Sequence, residues 1–129
     1  MKSKTILCVD DDKLLLGLVR VVVEDLGARF IGAEDGEACL TVMQNLEPDL
    51  LILDVQMEGM SGVDLLERIR QAHPRLKSKV IFLTAQKSLK TIEKTTELGS
   101  TTYILKPIDP HRLHARIREV LSPTVNSDG

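Results

Sequence analysis

The sequence predicts an α/β fold: a doubly wound, five-stranded parallel sheet with five helices. Two observations predict it. Short apolar runs alternate with longer amphipathic runs along all 129 residues, and strand-then-helix recurs five times in succession. Each strand candidate is also brief and nearly all apolar, as strands buried on both faces are.

Residues 5–9 (TILCV) read as the first buried strand. From Asp12 to Leu26 apolar residues recur at helical spacing (Leu15, Leu18, Val19, Val22, Val23, Leu26), and Gly27 fits a stop just past the helix. A weaker strand covers about 28–33. Asp35 then caps a helix of about 36–46. "PDLLILD", 48–54, is the clearest strand, opened by proline and closed by aspartate. Ser61 caps a helix of about 62–73 that buries Val63, Leu66 and Ile69 and ends at His73-Pro74. "KVIFLTA" is the fourth strand. A polar, threonine-rich helix is predicted over 88–98, "TTYIL" is the fifth strand, and "DPHRLHARIREVL" is the last helix, with Asp109 as cap and Pro110 at its first position. Residues 1–121 are expected to form one domain, and the small polar residues 122–129 a tail or the start of a linker.

A chain of this length can bury an aliphatic core without staples. The net charge of −2 gives no general attraction to nucleic acid or anionic membrane. With only Phe30, Phe82 and Tyr103 as aromatics, a base-stacking surface is not expected. There is no membrane-length apolar stretch and no signal-peptide pattern, so a cytoplasmic location is expected. Cys8 and Cys39 lack metal-binding spacing and read as buried reduced thiols.

In such a fold, ligands bind beyond the carboxyl ends of the strands, where strand order reverses. Those ends carry Asp10 and Asp11, then Asp54, then Thr84 and Ala85, then Lys106 and Pro107. Glu34 and Asp35 close the second strand, near the sheet edge if that strand lies outermost. Three carboxylates converging from two strands repel one another. A hard divalent cation relieves that repulsion, and oxygen-only donors favour Mg²⁺ over zinc. A hydroxyl from Thr84 and an ammonium from Lys106 suit phosphoryl oxygens. An aspartate between metal and cation can accept a phosphoryl group. Asp54 is the best candidate, alone at the end of its strand.

With these residues the chain resembles the receiver domain of two-component response regulators, the CheY-like family, over about residues 4 to 121. "ILCVDD", "PDLLILDVQMEGMSG", "VIFLTA" and "YILKP" match in the family's order and spacing. The resemblance implies the flavodoxin-like strand order 2-1-3-4-5. It makes Asp54 the phosphoacceptor, Asp11 a direct Mg²⁺ ligand, Asp10 a helper through water, and the Gln56 backbone carbonyl a further ligand. Thr84 and Lys106 would hold the phosphoryl oxygens, with Thr84 turning inward. Tyr103 matches the family's aromatic switch, Gly62 its loop glycine, and Lys106-Pro107 a bond usually cis in the family. The chain departs from the family at Glu58, where proline is common. A carboxylate there adds repulsion toward a phosphoryl donor and removes a stiff turn residue. Gln56 and Gln86 occupy positions that tune phosphoryl lifetime in the family.

Simpler readings weigh differently at each residue. Alone, Asp10 and Asp11 would be helix caps; beside Asp54, Thr84 and Lys106 they read as ligands. Asp12 is expected only to start its helix, at the helix's positive end. Tyr103 alone would be a half-buried strand aromatic, and Lys106 a solvated lysine. His73 reads as helix-end decoration, and His111 and His114 as solvated surface residues, having no third ligand.

The expected function is therefore a phosphorylation-activated signalling switch, not an enzyme beyond its own phosphorylation and dephosphorylation. A histidine kinase or phosphotransfer protein would donate to Asp54. The surface of the fourth predicted helix, fifth strand and last helix would then change for a downstream partner or output domain, or for a homodimer. No output domain follows residue 121, so direct DNA binding by this chain is not expected. Two rival readings fit the sequence less well. A haloacid-dehalogenase-type phosphatase wants a second Asp where Gln56 stands. A docking-only pseudo-receiver is suggested by Glu58 alone and opposed by the intact Asp, Thr and Lys set.

Overall fold

Five parallel strands form one sheet in the order β2-β1-β3-β4-β5. They are β1 (Thr5–Val9), β2 (Arg29–Ala33), β3 (Leu50–Asp54), β4 (Lys79–Thr84) and β5 (Thr102–Leu105). This is the expected flavodoxin-like arrangement, with β3 central and β2 at one edge. The computed structural model describes residues 1–85 and 102–122. The predicted helix over 88–98, Gln86 and most of the polar tail lie outside those residues.

Alternation along the strands splits the core in two. Ile6, Cys8, Leu50, Ile52, Ile81, Leu83 and Ile104 face one side. There they meet Val19, Val22 and Val23 of α1 (Lys13–Asp25) and Leu113 and Ile117 of α4 (Pro110–Leu121). Leu7, Val9, Leu51, Leu53, Val80 and Phe82 face the other. They pack on Cys39 of α2 (Gly36–Val42) and on Val63, Leu65, Leu66 and Ile69 of α3 (Gly62–Ala72). Each buried Leu or Ile contributes about 1.5–3 kcal/mol. The two layers therefore cover both faces of the sheet and hold its strands in place. Both cysteines are buried free thiols, and burial pushes their pKa values up, that of Cys39 to about 12.

Four side chains start the four described helices where local chemistry says they should. Asp12 accepts from the N–H groups of Leu14 and Leu15, Asp35 from Ala38, Ser61 from Asp64 and Asp109 from His111. Each satisfies helix donors that have no intrahelical partner. Gly27 closes α1 with φ 81°, in the left-handed region that glycine enters freely.

Two expectations change. α2 ends at Val42 and not near residue 46. There the Gln44 and Asn45 N–H groups donate three residues back, to Thr41 and Val42, tightening the turn out of the helix. His114 is not simply solvated: its Nε2 lies 3.2 Å from Asp25 Oδ2, which bridges α4 to α1. His111 is exposed, as expected.

Candidate functional site

The sheet register brings the expected residues to one end. Val9 pairs with Ala33 and Leu53, so Asp10 emerges beside Asp54. Asp54 is the last residue of β3 and pairs with Leu83. Thr84 ends β4 opposite Leu105, and its carbonyl accepts the Lys106 N–H at 2.8 Å. Lys106 thus leaves β5 one strand beyond Thr84 and reaches back across it. Lys106-Pro107 is cis.

Adjacent acids point into different surroundings. Asp10 is fully buried, and its Oδ1 accepts the Asp12 N–H at 2.9 Å. Its Oδ2 is buried without a well-formed hydrogen bond, and among the described residues its one charged partner is the Lys106 ammonium, 3.3 Å away. Asp11 is exposed, and its Oδ2 accepts the Glu58 N–H at 3.3 Å. Asp54 is buried; the Gln56 N–H donates to its Oδ1 at 3.2 Å, and Lys106 Nζ stands 3.3 Å from its Oδ2. Asp12 belongs to the helix and not to this group.

Carboxylate oxygens of Asp10, Asp11 and Asp54 lie within 4.8 Å of one another. Burial pushes the Asp10 carboxyl up to about 6, with Asp54 adding to the rise and the Asp12 N–H and Lys106 opposing it. Burial also works against the charge on Lys106, but the Asp10 and Asp54 carboxylates outweigh it and hold that ammonium above its ordinary pKa. Among the described residues one ammonium thus serves two of the three crowded acids, and one buried oxygen of Asp10 is left poorly paired. Such an oxygen-only set, open to solvent at Asp11, fits a small hard cation that keeps several waters.

Close backbone approach shapes the floor. A Cβ on Gly62 would meet the Asp54 carbonyl oxygen at 2.2 Å, so only glycine lets α3 begin against the end of β3. The Gly62 N–H donates to the Val55 carbonyl at 3.0 Å. Tyr103 is half-buried against the α2–α3 side of the core, and Thr84 is buried at its strand end.

Two contacts were not foreseen from sequence: the pairing of Asp10 with Lys106 and the bond from the Glu58 N–H to Asp11. The sequence draws attention to the Glu58 carboxylate, whereas the Glu58 backbone N–H is what touches the site. No local signal announces a backbone bond across 47 residues.

Comparison with known proteins agrees with this fold. The family model for the response regulator receiver domain matches residues 6–118. The phosphate regulon transcriptional regulatory protein PhoB of Pseudomonas aeruginosa is 33% identical over 99% of this chain and 56% of its own length. The transcriptional regulatory protein CpxR of Escherichia coli is 40% identical over 90% of this chain and 48% of its own. The chain therefore spans about half the length of these relatives. Among solved structures, the chemotaxis protein CheY4 of Vibrio cholerae superposes with a TM-score of 0.85 at 26% identity, covering 92% of this chain and 98% of that one. A CheY-like receiver domain protein from Methanospirillum hungatei gives 0.82 at 30% identity, covering 90% and 91%.

Proposed function

We propose how this chain works from what it is: it belongs to the response regulator receiver domain family, the signalling domains of two-component phosphorelays. In the proposed reaction Asp54 is the phosphoacceptor. A carboxylate oxygen of Asp54 attacks the phosphorus of a phosphohistidine on a sensor kinase or phosphotransfer protein. The N–P bond breaks, its electron pair stays on the imidazole nitrogen, and that nitrogen takes a proton.

Asp10, Asp11, Asp54 and the Gln56 carbonyl would hold Mg²⁺, which when bound offsets the negative charge shared by the acids and the phosphoryl oxygens. Lys106 then exchanges part of its pairing with Asp54 for the phosphoryl oxygens, and the Thr84 hydroxyl donates to another. Drawing Thr84 inward frees space that Tyr103 follows, and the surface around β5 and α4 shifts between two packings. A downstream effector or a C-terminal output domain would read that surface, or a second copy would pair through it. The receiver unit would end near residue 121, with 122–129 starting a linker. A cytoplasmic setting suits this role; among the described residues no helix is long and apolar enough to cross a membrane.

One observation carries the reading. Asp54 ends the central strand almost wholly buried, with the Gln56 N–H on one oxygen and the Lys106 ammonium 3.3 Å from the other. An acid so placed is held in one orientation at the carboxyl end of the sheet, beside the cation that would meet a phosphoryl oxygen. The test is phosphorylation by a small phosphodonor with Mg²⁺. One hydroxylamine-labile phosphoryl group should appear per chain, and Asp54→Asn should abolish it. Equal labelling of the Asn variant would move the acceptor elsewhere.

A further inference from the structure

Asp11 follows β1, and Glu58 sits in the loop between β3 and α3, four residues past Asp54. Both are exposed, so no packed wall fixes either side chain. The Glu58 N–H donates to Asp11 Oδ2 at 3.3 Å, and among the described residues this is the one hydrogen bond that the Asp11 carboxylate accepts. Gly59, with φ 88°, turns the loop immediately afterward. Proline at position 58 would have no N–H and could not make this bond.

We infer that the Glu58 backbone N–H is a positioning group for the cation site. It holds Asp11 toward Asp10 and Asp54 before the cation arrives and ties the β3–α3 loop to the same carboxylate. Glu58 thereby replaces the stiffness of a proline ring with a cross-loop hydrogen bond. An exposed aspartate loses rotamer freedom when it ligates a metal, and a side chain already held loses less. A carboxylate has lone pairs enough to accept the N–H and still coordinate. By reciprocity, cation binding must order the loop as much as the loop favours the cation. The Glu58 carboxylate takes no part; the peptide group does the holding.

This rests on the proposed Mg²⁺ site, so the experiment separates the two. Mg²⁺ affinity is measured calorimetrically for the intact chain and for Glu58→Pro, Glu58→Gln and Glu58→Ala. Hydrogen exchange of the Glu58 amide is followed in the metal-free protein, with and without Asp11→Ala. Glu58→Pro should weaken Mg²⁺ about fivefold to tenfold, the upper part of the range for ordering one side chain. The Gln and Ala variants, which keep the N–H, should stay within about threefold of the parent. The Glu58 amide should exchange several-fold faster when Asp11 is truncated. A proline variant that binds like the parent, or a Gln variant that loses as much as proline, overturns the positioning role. So does an amide indifferent to Asp11, a result that does not depend on whether the Glu58→Pro variant folds. If the parent chain itself binds no Mg²⁺, the cation reading falls, and amide exchange alone then decides whether the Asp11–Glu58 bond exists.

Discussion

Lys106 Nζ lies 3.3 Å from Asp54 Oδ2, although the two residues leave strands that are not neighbours in the sheet. β4 separates them and ends in Thr84, so the lysine spans the gap over which a phosphoryl group would have to fit. The same ammonium serves Asp10 at 3.3 Å. It is therefore both the counter-charge of the metal-free site and a competitor of any cation entering it.

Replacing Lys106 with methionine, which keeps most of the stem and loses the charge, should separate those roles. Without the ammonium the acids attract Mg²⁺ more strongly, and affinity should rise about threefold to tenfold. In the presence of a chelator the variant should lose about 1–2 kcal/mol of stability, because a buried acid loses its partner while part of the pair faces solvent. Mg²⁺ titration and urea unfolding in EDTA measure both. Weaker Mg²⁺ binding in Lys106→Met would mean the lysine organises the acids more than it competes.

The pH dependence follows from Asp10. Its folded pKa, raised to about 6 mainly by burial, exceeds the ordinary aspartate value. The folded state thus binds a proton more readily than the unfolded chain does. Metal-free stability should rise as pH falls from about 7 through 6 toward 4, by a few kcal/mol at most at about 1.4 kcal/mol per unit. Ligation needs the ionised form, so Mg²⁺ affinity should fall over the same range. Thermal unfolding at stepped pH should show stability falling between pH 5 and 7 in EDTA, whereas saturating Mg²⁺, which keeps Asp10 ionised, should flatten the curve. Parallel curves would show that Asp10 does not titrate there.

Strand ends and helix starts were legible in the sequence because their causes are local. An apolar run closing in aspartate at Val9-Asp10 and Leu53-Asp54 marks both a strand and its functional end. Asp12, Asp35, Ser61 and Asp109 each cap within three residues of themselves. What escaped was decided across the fold. Asp10 and Asp11 are adjacent and identical in type, yet only the three-dimensional turn after β1 buries one and exposes the other. The His114–Asp25 pair joins helices far apart in the chain. The length of α2 was overestimated because Met43 continues the apolar spacing, while its turn is already tightening.

Gly62 tests how closely α3 must approach the acceptor strand. An alanine Cβ would stand 2.2 Å from the Asp54 carbonyl oxygen, with the Asp54 carbonyl carbon at 2.9 Å. These are backbone atoms, so relief requires moving either α3 or the end of β3. Gly62→Ala should cost about 2–4 kcal/mol in denaturant unfolding. Phosphorylation of the folded fraction should also slow, since Asp54 is displaced with its peptide. Gly59→Ala is the control: nothing lies within 4 Å of its Cβ position, and only the positive φ is penalised, so its cost should stay near 1 kcal/mol. Equal costs for the two would show that close approach at Gly62 is not the constraint.

Asp12 separates capping from ligation among three consecutive acids. Its carboxylate accepts from the Leu14 and Leu15 N–H groups, and its own N–H donates to Asp10 Oδ1. The backbone bond to Asp10 survives any side-chain change, so Asp10 stays oriented when Asp12 is truncated. Asp12→Ala should therefore remove about 1 kcal/mol of stability and leave Mg²⁺ affinity within about twofold. Asp12→Asn, an equally good cap without charge, should recover most of that stability. Asp11→Ala should do the reverse, with little change in unfolding in the absence of metal and a large loss of Mg²⁺ binding. Unfolding and Mg²⁺ titration of the three variants side by side read out both roles. If Asp12→Ala weakened Mg²⁺ as much as Asp11→Ala does, the division of the acidic run into one cap and two ligands would not stand.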